Sequence, residues 1–131
     1  MDLRQEVSQY LITENYNQAI KLLEKSIKAE PSKVTNYWHL GLILLLQGEE
    51  VEAQMTWMLP LSEAEPEELE LAITELIQIL QVEAQRREEI KDYQTAWLIR
   101  QHIREINPEY LINLLHIIQL SIFLDISNCE G

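Results

Sequence analysis

An all-α fold of about seven helices is what this sequence predicts, and three observations predict it. Apolar residues make up 47% of the 131 residues, yet there are only three glycines, four prolines and one phenylalanine; Leu, Ile, Glu and Gln dominate, a composition that favours helix. No segment alternates with period two, whereas apolar residues recur at steps of three and four. Finally, three alanines keep the same company. Tyr16-Asn17-Gln18-Ala19 and Tyr93-Gln94-Thr95-Ala96 each reach a proline twelve residues past the alanine, at Pro31 and Pro108, and Ala53 reaches Pro66 in thirteen. Ala19 and Ala53 lie 34 residues apart, the period of a helix–turn–helix repeat and so of a stacked helical array.

Turn signals divide the chain in order. Residues 2–12 place Leu3, Val7, Tyr10 and Leu11 on one helical face, and Thr13-Glu14-Asn15 ends the run. Residues 15–29 repeat the pattern with Tyr16, Ala19, Ile20, Leu22, Leu23 and Ile27. Glu30-Pro31-Ser32 stops that helix, because proline restrains the residue before it and lacks the donor needed to continue. A third helix covers 34–47 and ends at Gly48, which suits a left-handed cap. The fourth starts near Glu49, and Pro60 predicts a kink or an early end there, with residues 61–65 irregular. Pro66 then opens a long helix to near Ile90, with Glu67, Glu68 and Glu70 at its positive end. Asp92 starts the sixth helix. Asn107-Pro108-Glu109 predicts a seventh that begins with an Asn cap and a proline at the first position.

In a two-helix repeat a small side chain at the crossing permits close approach, a place that Ala19, Ala53 and Ala96 fill. Four residues later come Leu23, Trp57 and Arg100. The first two are wedges suited to a neighbouring helix; Arg100 is not. Tyr37-Trp38-His39-Leu40-Gly41 supplies an aromatic, a leucine and a small residue in the helix before Ala53. With these marks the chain resembles the tetratricopeptide repeat family. The resemblance implies a right-handed superhelical array of antiparallel helix pairs, one domain over 1–131, with degenerate repeats at about 1–33, 34–66 and 67–108 and a half repeat at 109–126. Ala53 and Ala96 are 43 residues apart, so the third repeat has a first helix some nine residues too long. The runs Trp38 to Gly48 and Asp92 to Pro108 also resemble the amino-terminal helical region of cyanobacterial proteins labelled as SPINDLY-type O-linked N-acetylglucosamine transferases. That likeness touches only a non-catalytic part and implies no catalytic residue. It sets an alternative to a free-standing adaptor: the substrate-presenting or oligomerising region of a glycosyltransferase.

Charge narrows the function classes. Twenty-two acids against 10 bases give a formal net charge of −12. A nucleic-acid binder needs a basic footprint, and anionic membranes attract bases, so neither partner is expected. The single Cys129 makes no internal disulfide, the start is polar, and no apolar stretch is suited to span a bilayer; a cytoplasmic protein is expected. His39, His102 and His116 lack metal-ligand spacing, and no Gly-rich phosphate loop or nucleophile elbow is present. No catalytic, cofactor-binding or metal-binding residue is assigned, and no enzyme activity is expected.

The expected role is a scaffold or adaptor that binds a protein or peptide. The tetratricopeptide resemblance puts first helices on a concave groove, and helical projection brings Arg4 and Ser8, then Thr35, Trp38, Leu42 and Leu45, then Gln78, Gln81, Gln85 and Glu88, to it. Trp38 is then either an aromatic anchor or an interhelical packing residue, and the glutamines either bond a peptide backbone or meet water. Between Lys33 and Arg86 there is no lysine or arginine but ten glutamates, read either as solvated helix surface or as an acidic surface that steers a basic partner segment. The last helix is apolar on nearly all faces from Leu111 to Ile126. Terminal repeats normally need a polar outer face, so this helix is read as packing on another chain, on a continuation of this one or back into the groove; of these a homodimer through helix 108–125 is expected, with Leu114, Ile118, Ile122 and Phe123 as its contacts.

Overall fold

The computed structural model describes residues 2–130, with side chains described through Asp125. Seven helices run through them: α1 (Leu3–Ile12), α2 (Tyr16–Ala29), α3 (Thr35–Leu46), α4 (Glu50–Glu63), α5 (Pro66–Glu89), α6 (Tyr93–Ile106) and α7 (Leu111–Glu130). No strand occurs among the described residues. The helices group into two compact units, residues 1–75 and 76–131, divided within α5.

The repeat is written most plainly in the turns. After α1, α3 and α5 the chain enters the left-handed region at Glu14 (φ 60°), Gly48 (φ 88°) and Lys91 (φ 66°). The next residue then takes almost the same conformation each time: Asn15 (φ −85°, ψ 63°), Glu49 (φ −92°, ψ 65°) and Asp92 (φ −86°, ψ 72°). Asn15 N donates to Tyr10 O (2.9 Å), Glu49 N to Leu44 O (2.9 Å) and Asp92 N to Arg87 O (2.8 Å). Each turn adds a shorter-range bond from the left-handed residue: Glu14 to Leu11, Gly48 to Leu45 and Lys91 to Glu88. These paired bonds are the Schellman arrangement, which satisfies the last carbonyls of the preceding helix. One turn therefore recurs at spacings of 34 and 43, those of the three alanines, on three different sequences.

Two of the three links that lead to the next helix also match. Glu30 (φ −137°, ψ 77°) and Asn107 (φ −141°, ψ 88°) are extended before Pro31 and Pro108, as the proline ring requires. The α4–α5 link differs. Pro60 does not end α4, which continues to Glu63; of residues 61–65, expected to be irregular, 61–63 are helical and only Ala64 and Glu65 are not. A proline three residues from a helix end removes one bond where few remain to be lost. The expected start of the last helix is also corrected. Pro108 and Glu109 form a turn in which Glu109 N donates to Asn107 Oδ1 (3.2 Å), and α7 begins at Leu111. The side chain of Asn107 makes a local turn instead of a helix cap.

In the first unit the core is Val7 and Leu11 of α1, Ala19 and Leu23 of α2, Trp38, Leu42, Ile43 and Leu45 of α3, and Ala53 and Trp57 of α4. The α3–α4 approach is tight: a Cβ added to Gly41 would collide with the indole of Trp57, whose Nε1 donates to Trp38 O (3.2 Å). No other residue fits at position 41 without displacing that ring. In the second unit Leu76, Ile77, Leu80, Ala84, Ala96, Ile99, Ile103, Ile117 and Leu120 are buried.

This local geometry can be tested in two ways. Glu14 and Lys91 hold a backbone conformation that costs a residue with a Cβ about 1 kcal/mol. Glu14→Gly and Lys91→Gly should each raise the urea-unfolding free energy by about 0.5–1 kcal/mol; a loss of stability in both would show that the turns are not left-handed in solution. His39 supplies a pH dependence. Burial, followed by the charge of Arg4, lowers its pKa from 6.5, with Glu75 opposing, and its Nδ1 is buried without a hydrogen-bond partner. The unfolded chain takes up a proton near pH 6.5 while the folded chain stays neutral to lower pH, so this contribution to stability is lost as pH falls below 6.5. Urea midpoints measured from about pH 7 to about pH 5 should decline, and His39→Gln should flatten that decline.

Candidate functional site

The expected groove residues separate. Trp38, Leu42 and Leu45 are 0–1% exposed and belong to the core of the first unit; the packing reading of Trp38 is the one its burial supports. In the second unit Gln78 and Gln85 stay exposed on α5. Gln81 instead turns inward and accepts a hydrogen bond from Tyr110 Oη (2.7 Å). Glu88 is committed to internal partners, so it is not a groove acid.

Those partners explain the odd residue in the wedge position. Arg100, one turn after Ala96, is 1% exposed. Its Nε and Nη2 donate to Glu88 Oε2 and Oε1, both at 3.0 Å, in a bidentate pair. Nη1 donates to Asn113 Oδ1 (3.3 Å), and Asn113 Nδ2 donates back to Arg100 O (3.0 Å). His116 Nδ1 lies 3.1 Å from Glu88 Oε2. α5, α6 and α7 thus meet around one buried guanidinium. Two of the polar residues that interrupt the apolar run of α7, Asn113 and His116, are spaced by three and face this cluster.

A second ionic cluster sits at the α5–α6 turn. Arg86 Nε and Nη2 donate to Glu83 Oε1 and Oε2 (2.9 and 2.8 Å), Arg87 Nε donates to Glu83 Oε2 (2.8 Å), and Arg87 Nη1 donates to Asp92 Oδ2 (2.9 Å). Burial pushes the Asp92 carboxyl up, but hydrogen bonds from Arg87 and Thr95 outweigh it and hold the pKa below its usual value. Glu83 therefore leaves the acidic surface expected of the middle segment. Glu75 is half-buried, and its Oε1 accepts from Thr35 Oγ1 (2.6 Å). The other eight of those ten glutamates, Glu49 to Glu70, are exposed. No group of three His, Cys, Asp or Glu residues able to hold a metal ion occurs among the described residues.

An apolar surface is exposed as well. On α7, Leu111, Leu115, Ile118 and Ile122 are 71%, 65%, 59% and 54% exposed. They recur at steps of four, three and four, directly opposite Asn113, Ile117 and Leu120, which are buried. Ile112 is exposed beside them. Of the four expected self-association residues, Ile118 and Ile122 lie in this seam. Leu114 and Phe123 do not: Leu114 is half-buried, and the Phe123 ring stacks on Tyr93 at 4.9 Å. Sequence reasoning misses Leu111 and Leu115 because, on a helix apolar all round, periodicity does not tell the packed face from the open one. Polar interruptions do not settle it either: Asn113 and His116 face internal partners, whereas Gln119 is exposed. The side chains of Ile126 and Cys129 lie outside the described residues. Among the described residues no helix is long and apolar enough to cross a membrane.

The buried pair yields a test. Glu88→Gln leaves the Arg100 guanidinium without its counter-ion and should cost about 3–5 kcal/mol, read from urea midpoints. Replacing both together, Arg100→Met with Glu88→Met, should cost much less than Glu88→Gln alone; equal losses would mean that the charge pair is not the source. Comparison of the chain with protein-family models, with curated proteins and with solved structures finds no match to any of them.

Proposed function

We propose that this chain is a non-catalytic interaction module, a tetratricopeptide-like scaffold that joins proteins and self-associates through α7. The observation that carries the reading is the α7 seam. Leu111, Ile112, Leu115, Ile118 and Ile122, all more than half exposed, put apolar surface on the order of 500 Å2 on one helix face, where a monomer's largest patch runs about 300–600 Å2. Laid against a second copy, the seam buries on the order of 1,000 Å2, the lower edge of a specific interface. Residues 111–124 contain no Asp, Glu, Lys or Arg. On a chain of net charge −12, this is a face where two copies approach without acids opposed along its length. The four-three-four spacing is also the one that lets two helices interdigitate. A reducing compartment such as the cytoplasm suits a chain with one cysteine.

Of the α3 and α5 residues expected in the groove, Gln78 and Gln85 are fully exposed. A partner that carries a basic segment is the favoured client, because eight exposed glutamates lie between Glu49 and Glu70.

Light scattering of the purified chain should give the mass of a dimer at high micromolar concentration, and Ile118→Glu should give a monomer with unchanged helical circular dichroism. A wild-type chain that stays monomeric, or a variant that dimerises equally, would sink the α7 assignment.

A further inference from the structure

α4 has two opposite faces. Ala53 and Trp57 are buried, whereas Val51, Met55, Met58 and Leu59 are 69%, 65%, 63% and 53% exposed. The exposed four recur at steps of four, three and one, so they form one strip along about two and a half helical turns. Leu59 also borders a crevice of about 280 Å3, which Ile27 of α2 and Tyr37 and Leu40 of α3 line with it. Glu24 and Lys28, of opposite charge, complete its α2 side. The strip and crevice together make an apolar seat with an open depression at one edge.

Charge decides what fits there. Glu49 and Glu50 stand at the start of the strip, and Glu52 and Glu63 lie along its flank, all exposed. Residues 34–75 hold nine glutamates and no lysine or arginine. A second copy of this face would bring the same acids against these, so self-pairing is opposed here, unlike on α7. Backbone chemistry decides the conformation of the occupant. The main chain of α4 is bonded within its own helix and offers no ladder to an extended peptide, whose buried amides would go unpaired. A helix brings its backbone bonds with it. Two methionines in the strip suit it to side chains of varied shape, because the thioether chain repacks easily.

We propose that the outer face of α4 is a docking site for an amphipathic helix with apolar anchors at steps of three and four and Lys or Arg on its flanks. This rests on the interaction-module reading above and names the partner class of that module.

The test uses the full chain and a dye-labelled synthetic peptide of about 16 residues, with Leu or Trp at every third or fourth position and Lys or Arg elsewhere. Fluorescence anisotropy should show saturable binding that weakens with added salt, and a peptide with Glu in place of the bases should not bind. Met55→Glu with Met58→Glu should weaken binding at least about tenfold. Because that variant adds two acids, attraction by charge alone would tighten instead, so unchanged or tighter binding overturns the proposal. Met55→Gln with Met58→Gln removes the apolar surface without new charge and should weaken binding in the same direction. Equal binding of the acidic peptide, or no binding of the basic one, also overturns it. Ile118→Glu separates the two readings: it should abolish dimerisation and leave peptide binding intact. If dimerisation through α7 holds while no peptide binds, the module reading stands and the α4 site falls.

Discussion

Three fully buried alanines mark the same place in the packing of both units. Ala19, Ala53 and Ala96 are fully buried, and one turn later Leu23, Trp57 and Arg100 are buried as well. A methyl group at the crossing lets the backbones come near enough for the next side chain to wedge between neighbours. The requirement is strictest in α3 and α4, where even the partner residue loses its Cβ: Gly41 exists because the Trp57 indole occupies that space. Once one face of a helix is committed to such a crossing, the opposite face is fixed as surface. That is how Val51, Met55 and Met58 come to be exposed, since Ala53 and Trp57 hold the inner side.

The two units meet the same requirement with different chemistry. In the first, the wedges are a leucine and a tryptophan in an apolar core. In the second, the wedge is Arg100, and the core is built around what it needs: the Glu88 carboxylate on α5, and the Asn113 amide and His116 on α7. A buried ion pair adds little net stability over an apolar replacement, but its geometric demands are narrow. It ties the register of three helices to one guanidinium. The long third first-helix fits this picture, because Glu83, Arg87 and Glu88 all lie in its last two turns and all are bonded to charged partners.

Exposed apolar strips therefore arise for a common reason and differ in their surroundings. The seam on α7 is uncharged over three turns, whereas the strip on α4 is bordered by glutamates. Neutral, self-complementary surface favours a second copy, and acid-flanked surface favours a basic partner.

How much of this is legible in the chain depends on the range of the physics involved. Helix positions, the cap at Gly48 and the repeat phase are local matters of periodicity, proline and turn chemistry, and the sequence by itself determined them; six of the seven helix starts lie within one residue of expectation. Pro60 and Pro108 escape such local rules, because whether a proline ends a helix or precedes it depends on how many bonds are left to lose and on what a neighbouring side chain can accept. The faces of helices were decided only by the tertiary structure. Trp38, Leu42 and Leu45 project onto a groove by repeat register, yet they are core, because α3 is apolar on most sides and its packed side is settled by contact. Glu88 reads as a surface acid until Arg100, twelve residues on, is placed against it. A period can be counted along one helix, but burial is a relation between helices, and no residue carries that in its own identity.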